Sequence, residues 1–212
     1  NLALARMNDA ENVVTIGAAT IDGLSYAGVW DGGAFGNHVI FNRQIASGTV
    51  TSLAESVIGT QGGGGTVDGS AIAIEGNLTE SEATANRAAS RLSITSAAVL
   101  SSGVAVGNRQ TNNAVVDSTA RSALAVSGAA ATSASAVING NAATALARGN
   151  AAENAVTLVS GSAEAGGVGD DPVFPGLMSA STTPPAVAML SNRQDNRGSI
   201  SARVVGSGSQ LA

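Results

Sequence analysis

Apolar and polar residues alternate over short runs along this chain, and the runs recur. Val104-Ala105-Val106, Leu124-Ala125-Val126 and Leu146-Ala147-Arg148 are three of them. A second kind follows each polar stretch, as in Ala114-Val115-Val116 and Val156-Thr157-Leu158. Alternation with a period of two predicts strands that bury one face. The residues between runs are Gly, Asn and Ser, which accept tight or left-handed turns. They also interrupt every would-be helix, and only the Ala-rich stretch 129–136 leans the other way.

The recurrence can be tested. Segments beginning at Asn42, Asn86, Asn108 and Asn192 align without gaps, and their starts are 44, 22 and 84 residues apart. Each carries a β-branched residue eight positions on: Val50, Ile94, Val116 and Ile200. A 22-residue period places unmarked anchors at Gly64 and Ala130, with Ile72 and Ile138 eight residues later. The segment Ala3–Ile16 matches Ala145–Leu158 at ten of fourteen positions, which adds Asn8 and Asn150 to the anchors and Ile16 and Leu158 to the apolar column. Internal repetition of this kind predicts stacked supersecondary units.

The expected fold is therefore all-β: a single β-solenoid domain over 1–212, with coils of about 22 residues and two main strands per coil. Stacked coils lie about 4.8 Å apart, so one position from each coil forms a ladder along the axis. The expected ladders are the Asn column (Asn8, Asn42, Asn86, Asn108, Asn150, Asn192) and the apolar column. The Asn residues are expected at turns, hydrogen-bonding from coil to coil. Arg43, Arg87, Arg109 and Arg193 would fall near one another, so their heads should splay into solvent or find carboxylates. Two stretches break the period, about 17–38 and 161–187, and are expected as loop excursions.

Composition suits a thin core. The 212 residues include 27 Gly and only five aromatic residues, too little bulk for an ordinary globular interior. Ala, Val and Ile fill a layer one side chain deep. Tyr26, Trp30 and Phe35 lie in the first excursion and Phe174 in the second, which suggests a contact surface towards a neighbouring subunit or a flap over the coil. Leu2, Leu4, Val204 and Val205 join them as candidate subunit contacts, because open solenoid ends expose strand edges.

Charge and chemistry mostly exclude. Charged residues make up 12% and the net charge is −5, with every cation an Arg; no dense basic face is available for nucleic acid. No apolar run is long enough for a membrane-spanning helix. The absence of Cys removes disulfides, thiolate metal sites and Cys nucleophiles. His38 is the only His and stands in no motif, so no enzyme activity, catalytic residue or cofactor is expected. Gly166-Gly167-Val168-Gly169-Asp170-Asp171-Pro172-Val173 fits a calcium nonapeptide, but such sites work in tandem arrays and this copy is single, so a loop is expected and no metal. Asn77-Leu78-Thr79 is a glycosylation sequon. A chain that opens Asn1-Leu2-Ala3 reads as processed, which points to secretion.

At Leu124-Ala125-Val126-Ser127-Gly128 and at Leu146-Ala147-Arg148-Gly149 with Asn154-Ala155-Val156, the unit resembles the curlin-type repeat of secreted bacterial fibres. The motif covers about 80–160, and the rest agrees by period. The resemblance implies a secreted, self-assembling fibre at the cell surface, in attachment or a biofilm matrix. Its partner would be itself, as a head-to-tail homopolymer, with surface polysaccharide as a further partner. Stacking through unclosed ends gives filaments. The rival expectation is a monomeric β-helical adhesin or carbohydrate-binding module with a groove near Trp30 and Tyr26.

Overall fold

The computed structural model describes residues 1–22, 29–30, 34–36, 38–61, 67–68, 71–101, 103–127, 131–132, 135–164, 169–170 and 188–211. The chain makes three passes over the same path. The first contains β1 (Leu2–Asp22), β2 (Val29–Trp30), β3 (Ala34–Gly36), β4 (His38–Ala46), β5 (Thr49–Gln61), β6 (Val67–Asp68) and β7 (Ala71–Glu75). The second contains β8 (Leu78–Ser101), β9 (Val104–Asn112), β10 (Val115–Ser127), β11 (Ala131–Thr132) and β12 (Ser135–Asn139). The third contains β13 (Ala142–Glu164), β14 (Gly169–Asp170), β15 (Ala188–Asn196) and β16 (Ile200–Leu211).

Strands from successive passes pair in parallel. Three walls hold one strand from each pass: β1–β8–β13, β4–β9–β15 and β5–β10–β16. Two smaller walls, β6–β11 and β7–β12, hold one from each of the first two. This all-β arrangement of stacked parallel sheets is consistent with a β-solenoid.

The size of the repeat differs from expectation. Residues that meet across a ladder are not 22 apart: Asn86 meets Asn150 at a separation of 64 and Gln44 meets Gln110 at 66. Where an excursion intervenes the separation grows to 78 (Asn8 to Asn86) or 84 (Gln110 to Gln194). About three 22-residue units make one pass, so the sequence period counts segments within a layer. Each of β1, β8 and β13 also runs unbroken through its anchor Asn, where a turn between two short runs was expected.

The reason lies in the inward faces. In β8, Thr79, Ser81 and Ala83 are buried at odd positions, whereas Asn86, Ala88, Ser90, Leu92, Ile94 and Ser96 are buried at even ones. The phase changes across Thr84, Ala85 and Asn86, all buried, so the strand turns a corner without leaving the ladder. Its first half faces Ala46, Val50, Ala114 and Val116, and its second faces Ile40, Val104 and Val106. A third cluster, Ile74 and Leu124 with Ile58, Ile72 and Ile138 against them, lies under the β7–β12 wall. The interior is thin and built from small residues, as the composition requires.

The expected excursions are shorter than 17–38 and 161–187, because residues 17–22 complete β1 and 161–164 complete β13. The two meet. Strand β2 pairs with β3, Trp30 opposite Phe35, and β14 from the second excursion pairs with β3, Gly169 opposite Phe35, all antiparallel. This small sheet lies beside β4 and β9. Val104, Ala105 and Val106 of β9 are all fully buried, so β9 is covered on both faces. Tyr26 and Phe174 lie outside the described residues.

Candidate functional site

The expected Asn column is two columns. Asn8, Asn86 and Asn150 stack on one wall, and Asn42, Asn108 and Asn192 on another. All six lie within strands. Among the described residues the left-handed glycines are Gly48, Gly76 and Gly140, with φ of 96°, 66° and 64°. The apolar column divides likewise into Ile16–Ile94–Leu158 and Val50–Val116–Ile200. Ile72 and Ile138 do not stack: Ile72 lies over Ala136, and Ile138 over Ile74. The connection 62–66 is two residues longer than its counterpart 128–130, which cuts the separation from 66 to 64 at this wall.

The first column is a continuous amide ladder. Asn8 Nδ2 donates to Asn86 Oδ1 at 2.7 Å, and Asn86 Nδ2 donates to Asn150 Oδ1 at 2.7 Å. Each amide also donates sideways within its own layer, to the carbonyls of Ile45, Thr111 and Asp195 respectively. One side chain thus ties layer to layer and wall to wall, and satisfies polar groups in a dry interior. A parallel ladder that sequence reading missed runs through Gln44, Gln110 and Gln194, at 2.7 and 3.2 Å. Its signal was present in Asn42-Arg43-Gln44, Asn108-Arg109-Gln110 and Asn192-Arg193-Gln194, where Gln follows the anchor by two. Buried hydroxyls zigzag across the core: Ser118 Oγ donates to Ser81 Oγ at 2.8 Å, and Ser81 Oγ to Ser52 Oγ at 2.9 Å.

One rung is imperfect. Asn108 Nδ2 donates to Asn154 Oδ1 in the next layer. One layer back, the same geometry joins Asn42 to position 90, which is Ser. Serine is too short, and Asn42 Nδ2 is buried without a hydrogen-bond partner. Ser90 Oγ makes only long contacts, 3.5 Å from Asn12 Nδ2 and 3.5 Å from Asn108 Oδ1.

Both outer layers leave inward columns uncovered. Val116 and Ala120 of the middle layer are fully buried, while Ile200 and Val204 above them are 42% and 53% exposed. On the other side Leu92 is buried and Val14 below it is 38% exposed. Val205 is also exposed, as are Leu2 and Leu4, which alternate with half-buried Ala3 and Ala5. The side chains of Trp30 and Phe35 are not among those described.

The arginines separate. Arg43, Arg109 and Arg193 stack in register, while Arg87 lies over Asp9 and bonds to it at 2.9 Å. That bond, with Arg6 on the other Asp9 oxygen, holds the Asp9 carboxyl below the usual carboxylate range. His38 opens β4, and burial pushes its imidazole pKa down. The sequon is closed: Asn77 Nδ2 donates to Asn141 Oδ1, and Thr79 is buried. Of the calcium-like stretch only Gly169 and Asp170 are described, in β14. Among the described residues no three His, Asp or Glu gather as a metal site, and no helix is long and apolar enough to cross a membrane.

Comparison with protein-family models, with curated proteins and with solved structures gives no match.

Proposed function

We propose that this protein is a β-solenoid subunit of a self-assembling extracellular fibre, with about 64 residues per coil, that stacks head to tail through its first and third layers. The observation that carries this reading is the pair of outer layers. Both present parallel strand edges, and in the three main walls each holds the same inward columns as the middle layer. A third layer set on the first layer of another copy would continue the columns of the three main walls: Asn150 onto Asn8, Gln194 onto Gln44, Leu158 onto Ile16 and Ile200 onto Val50. Unpaired edges carry rows of donors and acceptors that pair readily with another chain. The contact is heterologous, so it propagates as a filament.

A role in surface attachment or a biofilm matrix, secretion, and surface polysaccharide as a further partner follow from the curlin-type resemblance. The account needs no catalytic residue, metal or cofactor. The test is to concentrate the purified protein and follow it by electron microscopy and sedimentation. Unbranched filaments whose growth is seeded by preformed filaments support the reading. A stable monomer at high concentration that binds glycans would favour the adhesin instead.

A further inference from the structure

The paired strands keep like charges apart, with one exception. On the β1–β8–β13 wall Asp9 lies opposite Arg87, and the columns Arg6–Thr84–Arg148 and Glu11–Ala89–Glu153 each set a neutral residue between their charges. On the β5–β10–β16 wall Glu55 opposes Arg121, while Asp117 and Arg203 have neutral neighbours. Neighbouring layers lie about 4.8 Å apart, and like charges directly opposite one another destabilise a sheet. Among the described pairs only the column Arg43–Arg109–Arg193 sets like charges on adjacent rungs, and it does so twice in succession.

This column faces outward. Gln44, Asn108 and Gln110, its neighbours along the strands, are buried, whereas Arg43 and Arg193 are exposed and Arg109 between them is half-buried. The columns flanking it on the same face are Phe41–Gly107–Ser191 and Ile45–Thr111–Asp195. Asp195 is the one charged residue in them, and Arg197 holds its carboxylate at 2.6 Å. Three guanidinium groups thus form a strip about 10 Å long, on a chain whose net charge is −5.

We propose that the Arg43–Arg109–Arg193 strip binds an acidic polysaccharide, with carboxylates on successive sugars, laid along the stacking axis. An anion set across the strip offsets the repulsion that the register imposes. The planar guanidinium fork matches a carboxylate with two parallel hydrogen bonds. A polymer suits the ladder better than a small anion, because once one rung is engaged the others bind intramolecularly. Nucleic acid fits less well: duplex DNA carries a charge for every ~1.7 Å of axis and calls for a broad basic face, which a single strip does not offer. The choice of polymer rests on the extracellular reading proposed above, and gives the polysaccharide of that reading a place and a charge. The strip lies within one chain, so binding does not require copies to stack.

The test uses soluble, unassembled protein with polygalacturonate as the probe. Calorimetry reads binding, and mass spectrometry reads which arginines the polymer shields from phenylglyoxal. Saturable binding that weakens as salt rises is expected, with Arg43 and Arg193 shielded ahead of the other exposed arginines. Neutral dextran should not bind. Arg43→Gln combined with Arg193→Gln should weaken binding at least tenfold, whereas Arg203→Gln, exposed beside Thr119, should leave it unchanged. Any of these would overturn the proposal: no saturable binding of polygalacturonate, equal binding of dextran, tighter binding of single-stranded DNA, undiminished binding by the double variant, or shielding of other arginines with Arg43 and Arg193 left reactive. Filaments that form from protein unable to bind polygalacturonate would strike this site alone. Binding by a protein that never assembles would support the site and strike the fibre.

Discussion

Replacing Asn86 by alanine removes the centre of the longest amide ladder. Asn86 is fully buried and takes part in three hydrogen bonds, accepting from Asn8 and donating to Thr111 O and Asn150 Oδ1. Each bond contributes about 1 kcal/mol net, and a buried partner left unpaired costs a further ~1–3 kcal/mol. Asn8 and Asn150 lie in outer layers and keep their sideways bonds to Ile45 O and Asp195 O, so the full penalty falls on the Thr111 carbonyl. The total is about 4 kcal/mol. For a chain of this length each kcal/mol moves the melting temperature by roughly 2–4 °C, so Asn86→Ala should lower it by about 8–16 °C. Asn192→Ala, at an exposed rung of the other column, should change it by less than about 2 °C. Thermal unfolding of soluble protein by circular dichroism reads both. An Asn86→Ala variant that melts within about 2 °C of the parent would refute the ladder as a stabilising element.

The imperfect rung predicts a gain: Ser90→Asn gives Asn42 Nδ2 an acceptor and completes the column of Asn12 and Asn154, and a melting point a few degrees higher is expected; an unchanged or lower one would show that the cavity has no room. A Cβ at Gly198 would lie 1.9 Å from the Ala114 carbonyl oxygen, so Gly198→Ala should loosen the third layer, read as faster amide exchange in β15 and β16 than in β8. Because Arg87 and Arg6 lower the Asp9 pKa, the stability from that carboxylate is present above its unfolded value of about 3.9 and disappears as pH falls through the lower folded value. Asp9→Asn should therefore be the less stable protein at neutral pH, with the gap closing under acid; a gap that persisted at the lowest pH would contradict the ion pair. Asn77, closed against Asn141, should remain unmodified when the chain is expressed in a glycosylating host, as read by intact mass.

Much of the architecture was legible in the residues. Alternation marked strands, the Asn spacing marked repetition, and scarce aromatics marked a thin core. Layer size was not legible, because a 22-residue period fits one coil of two strands or one third of a larger pass equally well. What separates them is the corner at Thr84–Asn86, where the buried phase changes inside a continuous strand; no glycine or proline marks it. Ile72 and Ile138 were misplaced for a related reason. Their separation of 66 agrees with the β4–β9 and β5–β10 walls, but the shorter connection 128–130 resets the count to 64 at the β6–β11 and β7–β12 walls. The Gln ladder was visible as a repeated Asn-Arg-Gln triplet, yet only stacking reveals that the Gln faces inward. The meeting of β14 with β3 joins residues far apart in sequence with no shared motif.

Diffraction from aligned filaments, with the axial rise per subunit measured by cryo-electron microscopy, tests the central claim most directly. Stacked layers predict strands perpendicular to the axis, a meridional spacing of about 4.8 Å, and a rise of roughly 14 Å per subunit from three layers. Filaments with strands along the axis, or with a rise unrelated to three layers, would contradict head-to-tail continuation of the stack.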